Sequence, residues 1–393
     1  PNNKTISSPC IGQEKRMRAS HLSAALVAVL VGYGASVALL LAAAAAVNAT
    51  PTQTISWLAA VSVAKGLGSA GLSSWSRVPV VLAWSTPGAA LIAATSGIDI
   101  HSAVGAFVLA GGLIALTGAI PALGRLVRAI PGSVASAMLA GVLLPFVMAV
   151  AQHSTKSPWI ALPLVAVFLL TRLWNPLYAV LATLLVGLAI GWTPPEAARL
   201  EALPFTFIMP RFEPSVLIGL GLPLYLVTMA SQNLPGFAVM TSQGYKPPVN
   251  AALVTTGVGS ALIAPLGGHT FNMAAITAAI CMGDDVDPDR ASRWRVGLVY
   301  GALWICMGWL SPLVLPVMLA LPSAIVATVA GLALIPSLTG AMANAMEDEA
   351  RRFASIVTFS VTASGVVAFG IGAAFWGLLA GLLALMLDRL KRP

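Results

Sequence analysis

Apolar residues run along this chain in long unbroken stretches, and short polar clusters punctuate them. A membrane-crossing helix needs about 20 apolar residues in sequence, whereas a membrane β-strand alternates. The runs therefore predict an all-α integral membrane protein. Fourteen segments are expected, near 21–47, 52–68, 77–95, 101–119, 132–152, 158–172, 175–191, 213–231, 248–264, 269–281, 292–320, 322–345, 352–367 and 369–388. Two do not read as simple spans. The third carries Pro87-Gly88 in its middle, and the tenth is short and follows Gly267-Gly268. Both predict half-helices entered from extended backbone.

Charge agrees with this reading. Only 9% of residues are charged and 58% are hydrophobic, where a soluble domain has about a quarter charged. The net charge of +8 does not point to nucleic acid, because the basic residues follow membrane topology. Most lie in the N-terminal tail, after even-numbered segments or at the C-terminal end, while Lys156, Arg199 and Arg211 fall on the opposite side. Basic residues favour the cytoplasm, so both termini are expected there. Lys65 and Arg77 are read as flanking the loop after segment two. Every acidic residue falls in a tail, a loop or at a segment end on this reading, and no Lys or Arg is expected at mid-membrane depth. The acidic run Asp284-Asp285-Val286-Asp287-Pro288-Asp289 lacks the register of a calcium loop and reads as a solvated loop beside Arg290, Arg293 and Arg295. Cys10, Cys281 and Cys306 have no metal or disulfide spacing. No cofactor or metal is expected, and no motif of a membrane enzyme is present.

The longest polar connection, 192–212, follows a tail at 1–20 and separates a seven-segment repeat at 21–191 from a second at 213–388. Seven is odd, so the second repeat enters with the opposite orientation. The broken segments are third in each half, and broken helices at matching places in inverted repeats point to a transporter binding site. Ser85-Thr86-Pro87-Gly88 aligns with the stretch beginning Gly268-His269-Thr270, when Ala89-Ala90-Leu91 is set against Ala274-Ala275-Ile276. This predicts two half-helix N-termini, whose free N–H groups suit an anion. The candidate binding residues are Ser85, Thr86, Gln232, Asn233, His269, Thr270 and Asn272, with Tyr33 and Phe271 for an apolar part. Gln232 and Asn233 precede Pro235-Gly236, which is expected to open segment eight. His269 is the candidate proton carrier, since an unperturbed imidazole titrates near pH 6.5. An anion site should also avoid carboxylates, because like charges repel at low dielectric.

Pro79 through Leu91, Gly221 through Gly236, Gly267-Gly268-His269 and the stretch Asn272–Met282 together resemble the benzoate:proton symporter (BenE-type) family. That family resembles the uracil and sulfate permeases in fold. The resemblance covers about 20–390 and implies a core domain from 21–119 and 213–320 and a gate domain from 132–191 and 322–388, with segments three and ten meeting at the site. It implies proton-coupled uptake of benzoate or a related aromatic carboxylate by alternating access, in a bacterial inner membrane. Nucleobase carriers of this fold are expected to use acidic residues on segments eight and ten, where this chain has Gln232, Asn233, His269 and Asn272. Another small anion, a nucleobase or an uncoupled channel are the alternatives. The partners expected are the carboxylate, a proton and lipid, with the gate segments offering a homodimer face.

Overall fold

The computed structural model describes residues 18–34, 36–120, 122, 131–192 and 204–391. The tail through residue 17, Arg125 and Arg128, and 193–203 of the connection lie outside the described residues. Among the described residues seven helices are long and apolar enough to cross a membrane, or eight if Arg290–Trp309 and Ser311–Leu319, which meet at a 63° bend, are counted as one span. The protein is a mostly helical, multi-pass membrane protein.

In chain order the helices are α1 (Ala19–Gly34), α2 (Val37–Ala46), α3 (Pro51–Ser76), α4 (Thr86–Ala93), α5 (Ile100–Ala119), α6 (Gly132–Lys156), α7 (Pro158–Trp174) and α8 (Ala179–Ile190). The later ones are α9 (Pro214–Ser242), α10 (Val249–Ile263), α11 (Ile276–Met282), α12 (Trp294–Trp309), α13 (Ser311–Leu319), α14 (Ser323–Glu347), α15 (Arg352–Ala363) and α16 (Ala373–Lys391). The fold is not purely helical. Two short strands, β1 (Leu82–Trp84) and β2 (Phe271–Met273), pair antiparallel with Ala83 opposite Asn272. Extended backbone at membrane depth must find its hydrogen bonds inside the protein, and each strand supplies them to the other.

The expected boundaries shift in three informative places. Helix α3 continues to Ser76 instead of stopping near 68. It starts on a full capping box, with Thr50 accepting from Gln53 N and the Gln53 side chain accepting from Thr50 N. Lys65 thus lies eleven residues before the helix end, about 16 Å along the axis. Helix α9 does not open at Pro235-Gly236 but runs on to Ser242. It holds a π-helical turn over Met229–Asn233, with Leu234 N reaching back to Met229 O. A widened turn accommodates a proline without a break, since its ring would clash with the carbonyl one turn earlier. The tenth segment is a strand followed by the seven-residue α11.

Helix pairs carry the packing. Helix α3 lies along α12, α5 along α10, and α6 along α14. The first pair meets through glycines. A Cβ on Gly301 would sit 2.5 Å from the Gly66 carbonyl oxygen, and one on Gly66 would sit 2.6 Å from that of Gly301. Small residues let membrane helices approach this closely. Gly301→Val is therefore expected to push α12 off α3. A drop in stability of about 1–3 kcal/mol should appear as a lower unfolding temperature in detergent.

The polar loops are tied down more firmly than a solvated reading allows. Asp287 is buried, and its carboxylate accepts from His21 Nε2 at 3.1 Å and lies 3.4 Å from Arg18. Arg293, also buried, donates to the carbonyls of Asp287 at 2.6 Å and Met282 at 2.7 Å and pairs with Asp284. These bonds hold the start of α1 against the loop after α11. The connection is also anchored where it is described: Thr206 N donates to Ser56 Oγ, Ile208 N to Pro265 O, and Arg211 N to His101 O. Burial pushes the Asp99 carboxyl up, but hydrogen bonds from Ser102 and the Arg211 guanidinium hold it below the ordinary carboxylate range.

Candidate functional site

The β1–β2 ribbon feeds both half-helices. Chain leaves β1 through Ser85, whose Oγ caps α4 by accepting from Gly88 N at 3.1 Å. Chain leaves β2 through Ala274-Ala275 into α11. The two half-helices therefore correspond with Ser85 near Ala274-Ala275, about four residues off the expected alignment. His269 and Thr270 consequently lie before β2, against Ser85, and not at the start of α11. Backbone bonds fix this crossing, with Ser85 N donating to Thr270 O and Ala274 N to Val81 O, both at 2.9 Å.

A cavity of ≈ 220 Å³ opens beside the ribbon. Its walls include Ser36, Lys65, Trp84, Thr86, Gln232 and Trp304, with Ala333 and Ser337 of α14 closing the far side. Drug-sized ligands occupy about 300–1,000 Å³, so this space suits a single small molecule. Along α9 and α14, Ala230, Leu234, Asn344 and Glu347 line a wider crevice of ≈ 640 Å³.

Lys65 was read from the sequence as a loop residue, and the structure corrects this. Its side chain enters the cavity from the interior of α3 and the residue is only 1% exposed. Its Nζ stands 3.5 Å from the Trp84 ring centroid and 3.0 Å from that of Trp304. Cation–π attraction strengthens when such a contact is desolvated. The aromatic cluster extends outward: Trp84 and Trp304 meet edge to face at 5.3 Å, and Tyr33 lies 6.1 Å and 6.2 Å from them. Tyr300 packs on Trp304 and donates its hydroxyl to Leu82 O at 2.8 Å.

Several buried polar groups near these rings have no partner. They are Tyr33 Oη, Trp304 Nε1 and both polar atoms of the Asn272 amide. Asn272 stands across the ribbon from Ala83, which lines the cavity. Buried polar groups are seldom left unpaired, so their gathering here makes the cavity the candidate place for a polar ligand.

Of the sequence candidates, Thr86 and Gln232 line the cavity directly, and Tyr33 and Asn272 stand beside it. Ser85 and Thr270 form a buried hydroxyl chain through Thr228, with Oγ–Oγ distances of 3.1 Å and 3.0 Å. Phe271 is buried in the ribbon. Asn233 also serves the ribbon: its Oδ1 accepts from Met273 N at 3.0 Å. Asn233→Leu should strand that buried N–H and lower stability by about 1–3 kcal/mol, readable as a lower unfolding temperature.

His269 stands behind the cavity with both ring nitrogens engaged. Trp57 Nε1 donates to its Nδ1 at 2.9 Å, and its Nε2 lies 3.1 Å from Ser85 O. An indole N–H only donates and a carbonyl only accepts, so Nδ1 is bare and Nε2 carries the hydrogen. The imidazole is a neutral brace joining α3, the α4 start and the β2 approach. Lys65, Trp304 and Ser36, which line the cavity, and Thr228, which links Ser85 to Thr270, do not stand out in the sequence as site residues. The continued apolar run through Leu72 was the signal that Lys65 lies inside a helix.

The sequence profile of the family described as benzoate membrane transport protein, BenE, matches residues 15–387. The chain belongs to the BenE family. Its relatives include the inner membrane protein YdcO of Escherichia coli strain K12, 39% identical over 92% of this chain and 93% of that protein. The benzoate membrane transport protein of Acinetobacter baylyi is 30% identical over the same shares. The fold resembles the transmembrane domain of a cyanobacterial bicarbonate transporter, BicA, with TM-score 0.58 and 14% identity over 94% of this chain and 96% of that one. It also resembles the murine anion transporter solute carrier 26 family member A9 in its inward-facing state, with TM-score 0.65 and 13% identity over 97% and 70%. This BenE-family protein is a membrane transporter and not an enzyme.

Proposed function

We propose that the protein takes up an aromatic carboxylate, benzoate or a close relative, together with a proton, across a bacterial inner membrane. The observation that carries this reading is the cavity itself. It joins the buried Lys65 side chain and the unpartnered Trp304 N–H to the rings of Trp84 and Trp304. A carboxylate entering with a proton pairs with the Lys65 amine, and an aromatic ring packs on the indoles. Thr86 and Gln232 stand where they would orient the carboxylate, with Asn272 beside them.

Helix pairing supports two inverted repeats of seven within fourteen segments. The pair α3–α12 joins segments two and eleven, and α5–α10 joins four and nine, which exchange under such a repeat. In this arrangement the core (segments one to four and eight to eleven) carries Lys65 and both half-helices, and the gate contributes α14. Rocking of core against gate would expose the site alternately. The ≈ 640 Å³ crevice ends among Glu347, Asp348 and Arg351, consistent with a cytoplasmic exit when both termini are cytoplasmic. The gate helices remain the proposed homodimer face.

A second reading, a small inorganic anion, gains from the buried Lys65, because the sequence had offered no such cation. The test is uptake of labelled benzoate into proteoliposomes, after subtraction of passive entry into empty vesicles. Accumulation that follows an inward proton gradient, collapses with a protonophore and is blocked by substituted benzoates upholds the proposal. Folded protein that accumulates bicarbonate or sulfate but not benzoate overturns it in favour of the second reading.

A further inference from the structure

The carboxylate reading of the cavity leaves open which group carries the coupled proton, and the surroundings of Lys65 bear on that. The salt bridges among the described residues engage Arg18, His21, Arg211, Arg293, Arg351 and Arg352, and none involves Lys65. The titratable groups around it offer no charge in return. From α12, Tyr300 gives its hydroxyl to Leu82 O. From α1, Tyr33 has an unpartnered hydroxyl. Buried Cys281 on α11 is a free thiol. Before β2, His269 has both nitrogens bonded. An ammonium in this place is balanced only by two ring faces, and a lone charge removed from water costs far more than ring faces return. A carboxylate brought alongside converts that lone charge into a neutral pair.

We propose that Lys65 both binds the substrate carboxylate and carries the coupled proton. In the empty carrier the side chain is a neutral amine resting on the Trp84 and Trp304 rings, to which an N–H can still donate. As the carboxylate enters, a proton from the same side adds to the amine lone pair, giving an ammonium–carboxylate pair with no net charge. On the opposite side the carboxylate leaves, and the ammonium, again unpaired, returns its proton to water. No other bond forms or breaks. The carrier then goes back neutral, so one substrate and one proton cross together and no net charge moves.

The test is calorimetric titration of purified protein with benzoate near neutral pH, in two buffers of different protonation enthalpy. Wild type is expected to take up about one proton per benzoate bound. Lys65→Arg, whose guanidinium stays protonated, is expected to bind within about tenfold of wild type while taking up almost no proton. Equal proton uptake by wild type and Lys65→Arg overturns the proposal, placing the proton on the substrate or elsewhere. So does wild type that binds benzoate without proton uptake. If the larger side chain prevents binding, Lys65→Met decides. Proton-linked benzoate binding by a protein without the amine overturns the proposal, and loss of binding in monodisperse protein with an undiminished unfolding temperature upholds it. Wild type that binds no benzoate refutes the substrate reading instead, and the same two-buffer comparison with bicarbonate then tests Lys65.

Discussion

Lys65→Met is expected to lower benzoate uptake about 10- to 100-fold while raising the unfolding temperature of the protein. The loss of uptake follows from the chemistry of the site. A charge-assisted hydrogen bond contributes about 1.5–3 kcal/mol, and each 1.4 kcal/mol is tenfold in affinity. Without the amine, the remaining polar cavity residues Ser36, Thr86, Ser231, Gln232, Thr277 and Ser337 carry no formal charge. Methionine is unbranched and flexible enough to fill the tunnel the lysine stem occupies, so the two indoles keep a packing partner.

The gain in stability follows from the same burial. Lys65 has no carboxylate partner among the described salt bridges and is almost wholly removed from solvent. A buried amine costs folding free energy whether it is held neutral or charged without a counter-ion, and replacing such groups by well-packed apolar ones is neutral or stabilises by about 1–4 kcal/mol. A residue kept for transport against stability should show this opposed pair of effects. Uptake in proteoliposomes and thermal unfolding in detergent measure them on one preparation. Lower stability together with lost uptake would make Lys65 a structural residue, and retained uptake would remove it from the site.

Much of this arrangement was legible in the residues. Long apolar runs gave the membrane class, and Pro87-Gly88 and Gly267-Gly268 gave the two breaks, although the same signal at Pro235-Gly236 gave none, because a widened turn absorbs the proline there. Ser85 as a cap and Thr86 as a cavity residue follow from their places at the first of those breaks, whereas Gln232 lines the cavity although the opening expected at Pro235-Gly236 does not occur. What was hidden depended on contacts between distant segments. Asn233 and His269 look like ligand-binding groups because both are polar and intramembrane. Their partners, Met273 N for one and Trp57 with Ser85 for the other, lie 40 to 212 residues away in sequence. The alignment of the two polar motifs erred by about a turn because β2 is inserted between His269 and α11, and three extended residues carry no hydropathy signature. Lys65 was misplaced for a simpler reason: a cation was taken as a boundary, although Leu67, Ala70 and Leu72 continue the helix beyond it. Its pairing with Trp304 joins α3 to α12, more than 200 residues on.

The contrast between two substitutions at His269 separates bracing from proton transfer. His269→Ala is expected to destabilise the protein, because it strands the Trp57 indole N–H in the interior, at about 1–3 kcal/mol, and takes one of two donors from the Ser85 carbonyl, which still accepts from Ala89 N at 2.7 Å. It also removes a ring that packs 5.6 Å from Trp57 and 6.5 Å from Phe107. The Trp57 end matters most, since its indole N–H gives its hydrogen bond to the imidazole, whereas the Ser85 carbonyl keeps its bond from Ala89 N. His269→Gln keeps one acceptor and one donor on a side chain of similar reach. It is expected to lose part of the stability yet retain proton-driven accumulation of benzoate, because the brace needs hydrogen bonds and not a titrating ring. Thermal unfolding ranks the three proteins, with wild type above glutamine and glutamine above alanine. Uptake with and without a proton gradient then reads the coupling in the glutamine protein. If that protein is folded and exchanges benzoate across the membrane but no longer accumulates it against a gradient, the imidazole carries the proton, and the role assigned to Lys65 reduces to holding the carboxylate.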